Sequence, residues 1–139
     1  MSRIVLVFLL LSLASVSLAR TFSKCELVYE LRRQGFPEYQ MKDLVCLIGA
    51  ESSFQTNVRG GPNWDGSYDW GLFQINDRYW CNAGGWPGKG CNVKCNDLLS
   101  NDITASANCA KTIMGSQGLD AWYGWVNHCK GRWQPDLHC

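Results

Sequence analysis

Beyond residue 19 the chain has no apolar run approaching the roughly 20 residues that cross a bilayer, so no membrane anchor is expected there. Histidine is scarce: His128 and His138 are the two, and neither falls in the repeated CxxC or HxxxH spacing of a zinc cage. No metal and no other cofactor is expected. The chain also lacks a nucleophile-elbow sequence, which together with two late histidines argues against a serine protease. It has no Asn-x-Ser/Thr site, so N-linked glycans are not expected. Finally, it has no excess of charge. With Arg3 of the leader set aside, Lys and Arg balance Asp and Glu, and net charge would not steer the protein to nucleic acid or to an anionic membrane. Internal repeats and low-complexity segments are missing as well.

What is present points outward from the cell. Residues 1–19 read as a secretory signal: Arg3 is the basic start, Ile4 to Leu13 a nearly pure apolar run, and Ser17-Leu18-Ala19 a small-x-small cleavage pattern. Residues 20–139 then form one expected domain, long enough for a core of its own and too short for two. All eight cysteines lie in this part, and an even count behind an export signal implies disulfides in an oxidising compartment. Their number alone leaves the pairing open. The expected location is extracellular, and the expected state is a monomer.

The pattern divides into a helical start, a turn-rich middle and a helical end, an α+β class. Ser23-Lys24-Cys25-Glu26 is a capping-box sequence before Leu27 and Leu31, with Gly35 placed to end the helix. Pro37 and Glu38 suit the first turn of a second helix, whose apolar stripe is Leu44, Leu47 and Ile48. Glu51 lies on that same stripe by helical spacing, so its carboxyl is carried toward the interior. Gly60-Gly61-Pro62 breaks the helix. Asp65-Gly66 then signals a two-residue hairpin turn, with Val58 before it and Tyr68, Trp70 and Leu72 alternating after it. The glycines and Pro87 between Cys81 and Cys95 predict a stapled loop. Ile103, Ala107, Ala110, Ile113 and Met114 predict a helix ending at Gly115 to Gly118. Asp120 would cap a last one, with Trp122, Trp125, Val126 and Cys129 on one face.

Two carboxylates stand out. An apolar site and the partial negative charge of a helix end would both raise the pKa of Glu51, so that it keeps a proton near neutrality. Asp69, on a short strand in "GSYDWG", has polar neighbours that suit an anion. A proton donor paired with an anion is the division of labour that glycoside cleavage needs. The ordinary reading is that such a Glu is solvated or ion-paired and such an Asp is a turn residue. Seven tryptophans weigh against it, because flat aromatic faces beside amides suit a sugar cleft, and Trp64, Trp70, Trp80, Gln74 and Asn76 crowd the predicted sheet. Core packing accounts for at least half of them, Trp122 and Trp125 above all.

From residue 20 to the end the chain resembles the c-type (chicken-type) lysozymes. The likeness is carried by "CELVYELRRQG", the Cys46-to-Glu51 spacing, "DGSYDWGLFQINDRYWC", "CNVKCNDLLSNDITASANCAK", "DAWYGW" and "NHCKG". "INDRYWC" and "DAWYGW" look most like arthropod members. Lysozyme is itself the type case of the two-carboxylate pattern. The resemblance implies a lysozyme-like fold with a helical lobe, a small antiparallel sheet and four disulfides: Cys25–Cys139, Cys46–Cys129, Cys81–Cys95 and Cys91–Cys109. It implies that Glu51 is the general acid and later the base, and Asp69 the nucleophile or charge stabiliser, with Trp122 packed against Glu51. Asn63, Gln74, Asn76, Trp80 and the backbone of Ala121 would contact sugar.

The implied substrate is bacterial peptidoglycan, cut between N-acetylmuramic acid and N-acetylglucosamine, with chitooligosaccharides as weaker substrates. Many lysozymes used in defence are strongly basic, so neutral charge leans toward a digestive role or low-salt surroundings. A lysozyme-fold binding protein that holds sugar without cutting is the alternative, and retention of both acids favours the enzyme. The chain departs from the family at Gly61, where many vertebrate members have asparagine, at Trp70 for a common tyrosine, and at Tyr79 for a frequent tryptophan. Residues 115–119 look one residue shorter and lack an acid at the far end of the cleft. Asp97 and Asp102 remain of a calcium-binding cluster, but Asn101, Ser106 and Ala107 stand where further acids would be needed, so no structural calcium is expected.

Overall fold

A computed structural model describes residues 20–139, and the expected signal segment at 1–19 lies outside the described residues. Helix α1 spans Lys24–Arg33 and opens on Ser23, whose hydroxyl oxygen accepts the Glu26 N–H at 3.3 Å. At the other end Gly35 N–H donates to the Arg32 carbonyl and Phe36 N–H to that of Leu31, a Schellman closure that satisfies two orphan carbonyls. Leu27, Val28 and Leu31 face inward and are fully buried.

Pro37 does not open an α-helix directly. It precedes a 3₁₀ turn, Glu38–Gln40, and α2 begins at Met41 and runs to Ser52. Glu38 instead takes a two-pronged hydrogen bond from Arg32 at 2.6 and 2.9 Å. On α2, Leu44, Leu47 and Ile48 are fully buried, as their spacing predicts. The helix stops sharply because Ser53 and Phe54 both adopt left-handed backbone, φ 52° and 65°. Such residues cost about 1–2 kcal/mol each, and they lie two and three residues beyond Glu51.

The sheet is small: β1 Arg59–Gly60, β2 Asp69–Trp70 and β3 Ile75–Asn76, antiparallel in that order. The two-residue hairpin expected at Asp65-Gly66 is not what joins β1 to β2. Gly60 pairs with Asp69, so the connection runs from 61 to 68 and the Asp-Gly pair sits inside it, in a turn closed by Gly66 N–H donating to Asn63 O. Residues 81–95 carry little regular structure, and a 3₁₀ helix, Cys95–Leu99, follows. Gly71, at φ 74°, lets the sheet press on that helix; a Cβ there would collide with the Leu98 carbonyl.

Helix α3, Thr104–Gln117, continues through Gly115 and ends only at Gly118. A single glycine inside a helix costs about 1 kcal/mol, too little to stop one whose Ala107, Ala110 and Ile113 are buried. Asp120 is not a cap: it falls in a 3₁₀ turn, Leu119–Ala121, and pairs with Lys130 at 2.7 Å. Helix α4, Tyr123–His128, starts after Trp122. Of its expected inner face Trp122 and Cys129 are buried, Trp125 is half-buried, and Val126 is exposed. The disulfides are Cys25–Cys139, Cys46–Cys129, Cys81–Cys95 and Cys91–Cys109. Cys46–Cys129 locks α4 to α2. Each bridge contributes on the order of 2–4 kcal/mol, mainly by restricting the unfolded chain.

Candidate active site

Between the helical lobe and the sheet lies a groove of about 680 Å³, lined by Glu51 from the helical wall and by Asp69 from the sheet wall. Glu51 comes from the last turn of α2. Burial pushes its carboxyl above the ordinary carboxylate value, the nearby charge of Asp69 pushes the same way, and a hydrogen bond from Gly124 N–H to Oε1 at 2.9 Å pulls in the opposite direction. Burial is the largest of the three. Glu51, which lines the groove, is therefore an acid that holds its proton longer than a free side chain.

Asp69 is held differently. The register sets Asn76 directly across from it on β3, and the Asn76 amide donates to Oδ1 at 2.9 Å. The Asn63 amide donates to Oδ2, also at 2.9 Å. Both amides also donate to the Ser67 hydroxyl, at 2.8 and 3.1 Å, so one serine ties the three side chains into a unit. An acceptor on both oxygens is the hydrogen bonding an anionic carboxylate makes.

The five residues expected to touch sugar line this groove, and so does Trp122. They are not equivalent. Asn63 and Asn76 are engaged with Asp69, and Gln74 donates through its amide to the Val58 and Gly71 carbonyls, bracing the sheet. Trp122 donates its indole N–H to the Phe73 carbonyl at 2.7 Å and is anchored in the core with one edge in the groove. Trp80 and Ala121 are half-buried lining. Of the departures, Gly61 has φ 106°, which an L side chain adopts only with strain, and Trp70 is buried with its indole N–H on Asp77 at 3.1 Å. Tyr79 stays exposed on the groove lip, with the Arg78 guanidinium over its ring.

Ser67, Gly124 and Gln117 also belong to the site and were missed in the sequence. Gly124 had a signal, the glycine of "WYGW": a Cβ there would lie 2.6 Å from Glu51 Oε1. Gln117, late on α3, lines the groove without a sequence signal of its own. Asp97 and Asp102 line a separate hollow over the 95–99 helix. Asp102 there accepts from the Thr104 hydroxyl and N–H, which lowers its pKa, and no group of three or more metal-ligating side chains occurs among the described residues.

This pairing of a shielded acid with an amide-held carboxylate across one groove accompanies a close sequence match. Residues 20–139 match the family model described as C-type lysozyme/alpha-lactalbumin family. The chain belongs to that family. It is 54% identical to a lysozyme of Bombyx mori over 132 residues, covering 95% of each chain. It is 50% identical to a lysozyme of Galleria mellonella, covering 85% of this chain and 98% of the other. Lysozyme X of Drosophila melanogaster is 43% identical, covering 88% of this chain and 87% of its own. C-type lysozyme activity follows from likeness of this extent to several insect lysozymes.

Proposed function

We propose that this protein is a secreted lysozyme that hydrolyses the β-1,4 bond between N-acetylmuramic acid and N-acetylglucosamine of bacterial peptidoglycan with retention at the anomeric carbon. The observation that carries the reading is that Glu51 and Asp69 line one groove, with burial pushing up the Glu51 carboxyl. Protonated Glu51 gives its proton to the departing glycosidic oxygen while Asp69 attacks, or stabilises, the positive sugar carbon. Water then enters from the leaving-group side, Glu51 removes its proton, and the new hemiacetal departs. Asn63 and Asn76 are positioning residues that aim the Asp69 oxygens. Residues 1–19 direct export and are removed, which the family match beginning at residue 20 supports.

Glu51→Gln keeps an acceptor for Gly124 but has no proton to give, and lysis of Gram-positive walls should fall by at least about 1,000-fold. Asp69→Asn should cost at least about 100-fold. A protein that binds chitooligosaccharides but never releases reducing ends would be a sugar-binding member of the family instead. The exported protein should begin at Arg20 by mass.

A further inference from the structure

Three tryptophans are left in water, Trp64, Trp86 and Trp133, and of these Trp64 is the one that lines the groove. At 94% exposure its indole contributes nothing to the core. By contrast Trp70, Trp122 and Trp125 each donate an indole N–H to a protein oxygen. The turn that carries Trp64 is nevertheless firmly built. Asn63 N–H donates to Ser67 O at 2.8 Å, and Asp65 accepts from the Ser67 hydroxyl at 2.6 Å, from the Ser67 N–H at 3.0 Å and from Arg78 at 3.1 Å. These bonds hold the Asp65 carboxyl down at about 2, so it stays charged at neutral pH. A rigid turn presenting a bare indole is a preorganised stacking face.

The opposite wall repeats the arrangement. Tyr123 opens α4, is 83% exposed, and lines the same groove. It directly precedes Gly124, whose N–H holds Glu51, just as Trp64 directly follows Asn63, whose amide holds Asp69. Adjacent Cα atoms are about 3.8 Å apart, so each ring starts one residue from the partner of a reacting carboxyl. Both rings therefore stand on the groove beside the residues that hold its two carboxyls. Pyranoses present flat faces of C–H groups, which aromatic rings cover favourably.

We propose that Trp64 and Tyr123 form an aromatic pair, one on each wall, that stacks on the sugars flanking the cleaved bond and sets the grip on N-acetylated oligosaccharides. This rests on the lysozyme reading of the groove and deepens it. The test is calorimetric titration of chitohexaose into the Glu51→Gln protein, where no cleavage intervenes. Trp64→Ala and Tyr123→Ala added to that background should each weaken Kd by roughly three- to tenfold. Trp64→Phe should restore most of the loss, and thermal midpoints should not move, because both rings are exposed.

In otherwise unmutated protein the same alanine variants should raise KM more than they lower kcat. An unchanged Kd in the double alanine variant overturns the pair. So does a loss of affinity that Phe does not restore, since it would report a disturbed turn instead of a lost ring. Reducing-end release by the unmutated protein tests the lysozyme reading separately. If that fails while the alanine variants still lose chitohexaose, the aromatic grip stands as a binding device.

Discussion

Glu51 stands on the last turn of a helix whose inner face is fully buried, whereas Asp69 stands on a strand of two residues and is held by the amides of Asn63 and Asn76. On the helical wall the acid's chemistry is set by what surrounds it, since burial is the main cause of its raised pKa and a single backbone N–H opposes it. On the sheet wall there is too little regular structure to set anything by packing alone, and a side-chain network centred on Ser67 does the positioning. One wall is thus sensitive to volume and the other to hydrogen bonds. The two can be damaged separately.

Gly124→Ala should be the most damaging small change on the helical wall. Its Cβ would sit 2.6 Å from Glu51 Oε1, 3.0 Å from Cδ and 3.2 Å from the Ala50 Cβ, so the carboxyl has to leave its place. A displacement on the order of 1 Å at a reacting group costs about 100-fold in rate. Steady-state lysis should show that loss in kcat, together with a displaced basic limb of the pH profile. If kcat and the pH profile are both unaltered, volume does not govern this wall.

On the sheet wall the corresponding changes are Asn63→Ala and Asn76→Ala. Each removes one donor to a charged acceptor, worth about 1.5–3 kcal/mol, so each should reduce kcat/KM by roughly 10- to 100-fold. Because both amides also share Ser67, the double variant should lose less than the product of the two. The basic limb should stay where it is in both single variants, since neither amide touches Glu51. A basic limb that moves as far as in Gly124→Ala would mean that the walls are not independent.

The same contrast decides what could be read from the sequence. The burial of Leu44, Leu47 and Ile48, and with it the inward heading of Glu51, follows from a period that survives in a twelve-residue helix. Strands of two residues have no period to read. Asp65-Gly66 signalled a turn correctly but not the length of the loop around it, because Gly61 and Pro62 delay the pairing until Gly60 meets Asp69. Asn63 and Asn76 are recognisable as groove residues from the family resemblance, yet their bonds to Asp69 depend on cross-strand register, which no local pattern carries. Backbone donors are invisible in a sequence, and the Gly124 N–H shows itself only through the need for a residue without Cβ beside Glu51. Asp120 departs from its expected capping role for a related reason: a 3₁₀ turn intervenes before α4, and the acid pairs with Lys130 instead.

The smallest expected effect concerns stability, and it separates burial from chemistry. Since the folded protein raises the pKa of Glu51 above its ordinary 4.5, the native state binds more protons than the unfolded chain between that value and the raised one. Stability from this group is therefore fully present below the ordinary value and declines as pH rises through the folded one. Glu51→Gln has the same shape, keeps an acceptor for the Gly124 N–H and cannot ionise. Its thermal midpoint should exceed that of the unmutated protein at pH 7 and approach it on acidification below the ordinary carboxyl range. Asn76→Ala, on the other wall, should show no such pH-dependent gain. An equal midpoint difference for Glu51→Gln at every pH would mean that the acid ionises as easily folded as unfolded, and the helical wall would then have no means of keeping its proton.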